Sequence, residues 1–269
     1  MRATAVEHAA RRVASWLTSL TVALLAVAVF LSLGLTGGKA SAHRADRVDP
    51  ADLAKLTAAT THTTLADAPR DRGASATKGE VVHPRRVVAV YADPGRRPFA
   101  KVGPRQLGPT WLPVLDRRAG WSRVLLPSRP NGATGWVRSA LVDRAATPYL
   151  VRVHLTSRTL ELVKDGSTLG TWDVAVGAPG TPTPTGRTFL LGSVVDDQQD
   201  FSPVILPLGA HSDTLDTYGG GPGTVAFHGW PDSSVFGQAV SHGCVRVPAE
   251  ALDLLQQVPL GTLVIIDRT

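Results

Sequence analysis

The chain has 269 residues and a mass of 28.3 kDa, 43% of them apolar and 19% charged, which suits one large or two ordinary globular domains and excludes collagen-like, coiled-coil and multi-span membrane classes. The net charge of +6 is unevenly divided: residues 1–147 carry 22 Lys and Arg against 10 Asp and Glu, whereas residues 148–269 carry 6 against 12. The single cysteine, Cys244, excludes an internal disulfide and any zinc cluster that needs two thiolates.

Residues 1–12 form a short N-terminus containing Arg2, Arg11 and Arg12, and residues 13–38 follow with no charge at all. About 20 apolar residues are long enough to span a bilayer, so this segment reads as a signal anchor. Ala40-Ser41-Ala42 has the small-x-small form of a cleavage site, which leaves a removable signal peptide open. Either way the basic N-terminus stays cytoplasmic and the rest is exported, membrane-anchored or cell-wall associated. Residues 39–83, rich in Ala, Thr, Asp and Arg, read as a linker with one possible short helix in DPADLAKLTAA.

From residue 84 to 147 the texture changes to short strands, VVAVYA, TWLPVL, WSRVLLP and ATGWV, separated by DPGRRP, DRRAG and SRPNG. Four such strands predict a small β-barrel. The stretch WLPVLDRRAGWSRVLLPSRPNGATGWV resembles a bacterial Src-homology-3-like module. Between Arg85 and Arg144 there are 12 Arg and Lys against 3 acids, a surface suited to an anionic wall polymer, or simply a solubilising one. No zinc-finger, RRM or homeodomain signature supports a nucleic-acid partner.

Residues 148–269 again read as strands, from YLVRVHL to TLVIID, with Lys164-Asp165-Gly166 as a hairpin turn. One helix interrupts them in PAEALDLLQQV, where Ala251, Leu254, Leu255 and Val258 make a buried stripe. The predicted fold is therefore mostly β: an antiparallel, sandwich-like domain with one short helix, preceded by the barrel and a membrane helix.

Chemistry concentrates in AFHGWPDSSVFGQAVSHGCVRV, residues 226–247. A thiol is a nucleophile only as thiolate and needs a base or a positive neighbour to ionise at neutral pH. His242 lies two residues before Cys244, and His228 lies sixteen before it, at the end of an apolar strand. Gly243 leaves backbone room beside the sulfur, as an oxyanion hole of main-chain N–H groups requires. His211 and Asp213 could join His228 and His242 around zinc, but HExxH-type spacing is missing, so no metal and no cofactor is expected.

His228, twelve residues, then Ser241-His242-Gly243-Cys244-Val245-Arg246, together with GTPTPTGRTF at 180–189, resembles the L,D-transpeptidase (YkuD-like) catalytic domain over Tyr149–Asp267. The resemblance implies that Cys244 is the nucleophile and His228 the general base, oriented by a backbone carbonyl at about Gly229. It implies that the N–H groups of Gly243 and Cys244 receive the oxyanion, that His242 faces substrate or stabilises the site, and that Ser241 supports the turn and adjoins substrate. Arg246 stands where many members have Asn; a clamp on a substrate carboxylate and an internal ion pair are both open. Tyr218, before three glycines, is either on a flap over the site or packed in a plain loop.

The resemblance further implies a function in peptidoglycan biosynthesis and cell shape: 3→3 cross-linking of stem peptides through a cysteine thioester, with carbapenems as acylating inhibitors. The donor would be a stem tetrapeptide cleaved before its terminal D-Ala, and the acceptor the side-chain amine of a neighbouring stem's third residue. Hydrolysis by the same cysteine, as an L,D-carboxypeptidase or amidase, and a non-catalytic wall-binding protein are the alternatives.

Overall fold

The computed structural model describes residues 48–269. Among them no helix is long and apolar enough to cross a membrane, and the span expected over 13–38 lies outside the described residues. The first element among the described residues is helix α1 (Pro50–Lys55), inside the segment where the sequence suggests one. Eight strands follow: β1 (Thr57–Ala58), β2 (Glu80–Pro84), β3 (Val88–Tyr91), β4 (Pro98–Val102), β5 (Leu112–Arg118), β6 (Trp121–Leu125), β7 (Thr134–Arg138) and β8 (Val142–Ala146). They form one sheet in the order β1-β4-β3-β7-β6-β5-β2-β8.

This module is larger than the four strands expected. Strand β2 starts before the expected boundary, Pro98 disguises β4, and β8 carries an exposed polar pattern after its first residue. The expected linker also differs, since Ala59, Thr61, Leu65 and Ala68 are buried and β1 pairs in parallel with β4. Small residues such as Ala and Thr fill a core without producing a hydrophobic period, which hides such a segment from pattern reading.

The second half contains β9 (Tyr149–His154), β10 (Thr159–Lys164), β11 (Ser167–Asp173), β12 (Val176–Gly177), β13 (Gly186–Phe189), β14 (Ile205–His211), β15 (Thr224–His228), β16 (Ala239–Ser241), β17 (Val245–Arg246), helix α2 (Ala249–Leu255) and β18 (Leu263–Asp267). A five-stranded sheet runs β11-β10-β9-β18-β13, a three-stranded one β14-β15-β17, and β12 pairs with β16. The turn between β10 and β11 is the expected Asp165-Gly166 pair, with Lys164 opposite Ser167. Strand pairing corrects the antiparallel expectation: β9–β18, β12–β16 and β15–β17 are all parallel, so the five- and three-stranded sheets are mixed and the β12–β16 pair is purely parallel. Parallel neighbours need a long connection rather than a hairpin, and the sixteen residues between β15 and β17 supply one.

The two larger sheets and α2 meet in one core. Val151, Val153, Leu160, Leu162, Val264 and Ile266 come from one sheet, Leu206, Leu208, Val225, Phe227 and Val245 from the other, and Ala251, Leu252 and Leu255 from the helix. Leu252 joins the helix stripe in addition to the expected residues, whereas Leu254 is only half-buried.

Strand β18 is apolar on both faces because it serves two cores. Val264 and Ile266 point into the core just described, while Leu263 and Ile265 join Phe189 and Leu191 in the core of the N-terminal module. Residues 51–269 accordingly form one compact unit. A buried ion pair fastens the segment before β2 to β13: Arg187 Nε and Nη2 donate to the two carboxylate oxygens of Asp71 at 2.7 and 2.6 Å, with the side chains 11% and 6% exposed. Removing one partner of such a pair strands the other charge, so Asp71→Ala should lower the unfolding free energy by about 3–5 kcal/mol. Urea denaturation measures this; a loss of less than about 1 kcal/mol, as for a surface pair, would contradict it.

Candidate active site

Strand alternation assembles the site. On β15, Val225 and Phe227 enter the core, which turns Ala226 and His228 to the opposite face. On β17 and its flanks Val245 and Val247 enter the same core, turning Cys244 and Arg246 outward with them. The parallel register sets Phe227 opposite Val245 and His228 opposite Arg246. Adjacent strands lie about 4.8 Å apart and rise about 3.3 Å per residue. Cys244 is thus a diagonal neighbour of His228 on one face, within side-chain reach.

His228 is buried, and its Nδ1 lies 2.7 Å from the Gly229 carbonyl oxygen. A carbonyl only accepts, so Nδ1 carries the hydrogen and Nε2 keeps its lone pair. The Gly229 N–H donates in turn to Ser202 Oγ at 2.8 Å, fixing the carbonyl's peptide neighbour. Phe201 packs edge-on against the imidazole, with ring centroids 5.0 Å apart.

The turn that presents Cys244 needs Gly243, whose φ of +114° suits no side chain. The Gly243 N–H donates to Ser241 Oγ, which donates to the Cys244 carbonyl, so the hydroxyl closes the turn on itself. Two expectations change here. Ser241 is 2% exposed and its hydroxyl is committed to the backbone, so it supports the turn without touching substrate. The Gly243 N–H is occupied by Ser241, which leaves the Cys244 N–H as the uncommitted donor of the expected oxyanion pair. From the other side Thr183 Oγ1 donates to the Gly243 carbonyl at 2.9 Å, and Thr181 Oγ1 donates to that of Ser241 at 3.0 Å. The segment at 180–189 thereby clamps the turn that carries Cys244.

Burial pushes the Cys244 thiol up, opposed by the Ala226 N–H and by the charge of Arg246. Burial also holds His228 below its ordinary value; the Gly229 carbonyl resists and the Arg246 charge reinforces this. The resting pair is a neutral thiol beside a neutral imidazole.

Arg246 lies with its guanidinium carbon 3.6 Å from the centroid of Trp230, and its buried Nε has no hydrogen-bond partner among the described residues. The internal ion pair considered from the sequence does not form: no carboxylate meets this guanidinium among the described residues. Desolvation holds its pKa below the usual guanidinium value, opposed by Tyr218 and Cys244. At the outer edge Tyr218, 53% exposed, stacks on exposed His242 with centroids 5.2 Å apart. His211 is elsewhere, buried with Nε2 2.8 Å from the Thr61 carbonyl, so it does not join His228 and His242.

Trp230, Phe201 and Ser202 escape the sequence reading, which reached Thr183 only as part of the segment at 180–189. Trp230 stands two residues after His228, and that proximity was the one available signal; Phe201 and Ser202 arrive from a distant loop without any. A cavity of about 490 Å³ lined by Asp71, Asn131, Arg187, Asp267 and Arg268 contains no nucleophile, whereas the group with reactive chemistry is at Cys244.

Comparison with known proteins converges on this part of the chain. The family model described as YkuD, L,D-transpeptidase catalytic domain, matches residues 148–266. YkuD of Bacillus subtilis (strain 168) is 30% identical over 146 residues, covering 53% of this chain and 82% of that protein. YkuD of Bacillus licheniformis is 32% identical over 120 residues, 44% of this chain and 66% of that protein. Among solved structures, an L,D-transpeptidase from Mycobacterium smegmatis aligns with a TM-score of 0.38 at 16% identity, over 58% of this chain and 82% of that one. The catalytic domain of an E. faecium L,D-transpeptidase aligns with a TM-score of 0.35 at 20% identity, over 44% and 96%. With the match of residues 148–266 and the extent of the Bacillus subtilis alignment, the chain belongs to the YkuD L,D-transpeptidase family.

Proposed function

We propose that the protein is a peptidoglycan L,D-transpeptidase that forms 3→3 cross-links through a thioester on Cys244. The observation that carries this reading is the parallel pairing of β15 with β17, which sets the chain's single thiol on one face with a histidine whose free nitrogen is Nε2.

In this reading the Cys244 sulfur attacks the carbonyl between the diamino acid and the terminal D-Ala of a donor stem. His228 Nε2 takes the thiol proton as the C–S bond forms, because neither group is ionised at rest. The developing oxyanion faces the Cys244 N–H. The tetrahedral intermediate collapses as the imidazolium gives its proton to the departing amine, releasing D-Ala and leaving the thioester. The acceptor's side-chain amine then attacks the thioester carbonyl, its proton passes to His228, and the imidazolium returns that proton to the departing sulfur. Atoms and charges balance over the cycle, and no cofactor enters. An exported location, as the segment at 13–38 suggests, matches a wall substrate.

Arg246 takes a substrate carboxylate in this scheme. A desolvated guanidinium over the Trp230 ring, with an Nε unpartnered among the described residues, is suited to a planar anion. A stem peptide ending in free D-Ala offers one. His242 and Tyr218 form the outer wall of the cleft.

Incubation with a carbapenem should add its mass to Cys244, Cys244→Ser should take up none, and His228→Gln should acylate about 10²- to 10⁴-fold more slowly. With tetrapeptide muropeptides the wild-type chain should yield cross-linked dimers by mass spectrometry; trimmed monomers alone would overturn transpeptidation. Arg246→Ala should lower kcat/KM about 10- to 100-fold for donors with a free terminal carboxylate, and much less for amidated ones. Equal losses for both donors would remove the clamp. Alkylation of Cys244 by iodoacetamide should keep rising above pH 9, because burial pushes the thiol above its ordinary value of about 9. The acid limb of kcat/KM should lie below pH 6.5, because His228, lowered from that value, stays a neutral base until the solution is more acidic. A thiol that titrates below pH 7 would contradict this.

A further inference from the structure

The loop between β14 and β15, residues 212–223, carries Tyr218 to the mouth of the site. Its tip is a tight turn in which Tyr218 and Gly221 exchange both backbone hydrogen bonds, with Gly219 and Gly220 at φ of +57° and +78°. Most of the loop between Asp213 and Gly220 is exposed, and Tyr218 stacks on His242, two residues from the nucleophile. At the loop's base the Ser212 N–H donates to the Gly223 carbonyl. What holds the two legs of this loop comes from the N-terminal module.

Arg129, in the connection between β6 and β7, donates from Nη1 to the Ser212 carbonyl at 2.9 Å and from Nη2 to the carbonyls of Leu215 and Pro222 at 3.1 and 3.2 Å. Leu215 is on the outgoing leg and Pro222 on the returning one, so a single guanidinium joins both. The Arg129 backbone is itself fixed, its N–H donating to Thr63 and its carbonyl accepting from Leu65. Asn131 adds a second grip: its Nδ2 donates to the His211 carbonyl at 2.7 Å and to Asp213 Oδ1 at 3.1 Å, and its Oδ1 accepts the His211 N–H at 2.8 Å. Charge-assisted donation from a planar fork orients several acceptors at once, which a single ammonium or hydroxyl does not.

We propose that Arg129 is a positioning residue for the loop 212–223, so that the N-terminal module forms part of the catalytic unit and sets how the donor stem is held beneath Tyr218. The catalytic consequence rests on the transpeptidase reading above; the structural one does not. Arg129 touches no reacting atom and acts through the loop.

The test compares the full-length chain with its Arg129→Ala and Arg129→Lys variants by hydrogen exchange, by iodoacetamide alkylation and by donor kinetics. In Arg129→Ala, exchange at the bonded amides of Leu215, Tyr218 and Gly221 should rise about tenfold while β3 and β18 exchange as in the wild type. KM for the tetrapeptide donor should rise about tenfold with kcat changed less than about threefold, and the iodoacetamide rate should stay within about twofold. Arg129→Lys, which keeps the charge but not the fork, should fall between. Unchanged exchange in 212–223 would overturn the proposal. So would faster exchange spread equally through β3 and β18, which marks a general loss of stability, or an alkylation rate that falls with the KM change. Should the wild-type chain neither cross-link nor take up a carbapenem, the transpeptidase reading fails, and the exchange comparison still decides whether Arg129 holds the loop.

Discussion

The hydrogen bond from His228 Nδ1 to the Gly229 carbonyl is the constraint on which the site depends. It fixes one tautomer, so the ring presents a lone pair instead of a hydrogen, and it does so with a backbone group that costs the site no additional charge. A carboxylate in that place would favour imidazolium; a neutral carbonyl in a buried setting does so far less. With Arg246 nearby also disfavouring a second positive charge, the histidine rests as a neutral base. The thiol is half-buried, is pushed up by desolvation and rests protonated. Such a pair stores no ion pair in the ground state, and in the reaction proposed above charge separation waits until substrate is bound.

That bond is useful only because the surrounding backbone holds both strands in register. Core valines and Phe227 fix which faces of β15 and β17 point away from the core, and a one-residue slip would turn His228 into the core and Phe227 onto the face that carries Cys244. The turn that carries Cys244 is held from within by Ser241 and from without by Thr181 and Thr183. The same economy appears at β18, whose alternate side chains belong to two cores, and at Arg129, which reaches from one part of the chain to the substrate side of the other. The N-terminal module and the family domain are thus physically joined by apolar packing, a buried ion pair and a grip on the active-site loop.

Much of this was legible in the sequence, for identifiable reasons. Cys244, His228 and His242 stood out because reactive residue types clustered in a short window, and the family resemblance implied a carbonyl near residue 229 as the partner of His228. The Asp165-Gly166 turn and α2 declared themselves through turn chemistry and helical periodicity. Trp230 as the bed of Arg246, and Ser241 as an internal brace, depend on where side chains point after folding, which spacing alone does not fix. The packing of residues 57–83 was invisible because alanine and threonine carry little periodic signal. The parallel pairings were missed because local pattern distinguishes strands from helices but does not state which strand lies beside which.

The most direct measurement of the central claim is the nitrogen NMR spectrum of His228 as pH is lowered. The account predicts a neutral ring at pH 7 with the proton on Nδ1, one that takes up its second proton only below pH 6.5. A ring protonated on both nitrogens at pH 7, or a neutral ring with its proton on Nε2, would contradict it.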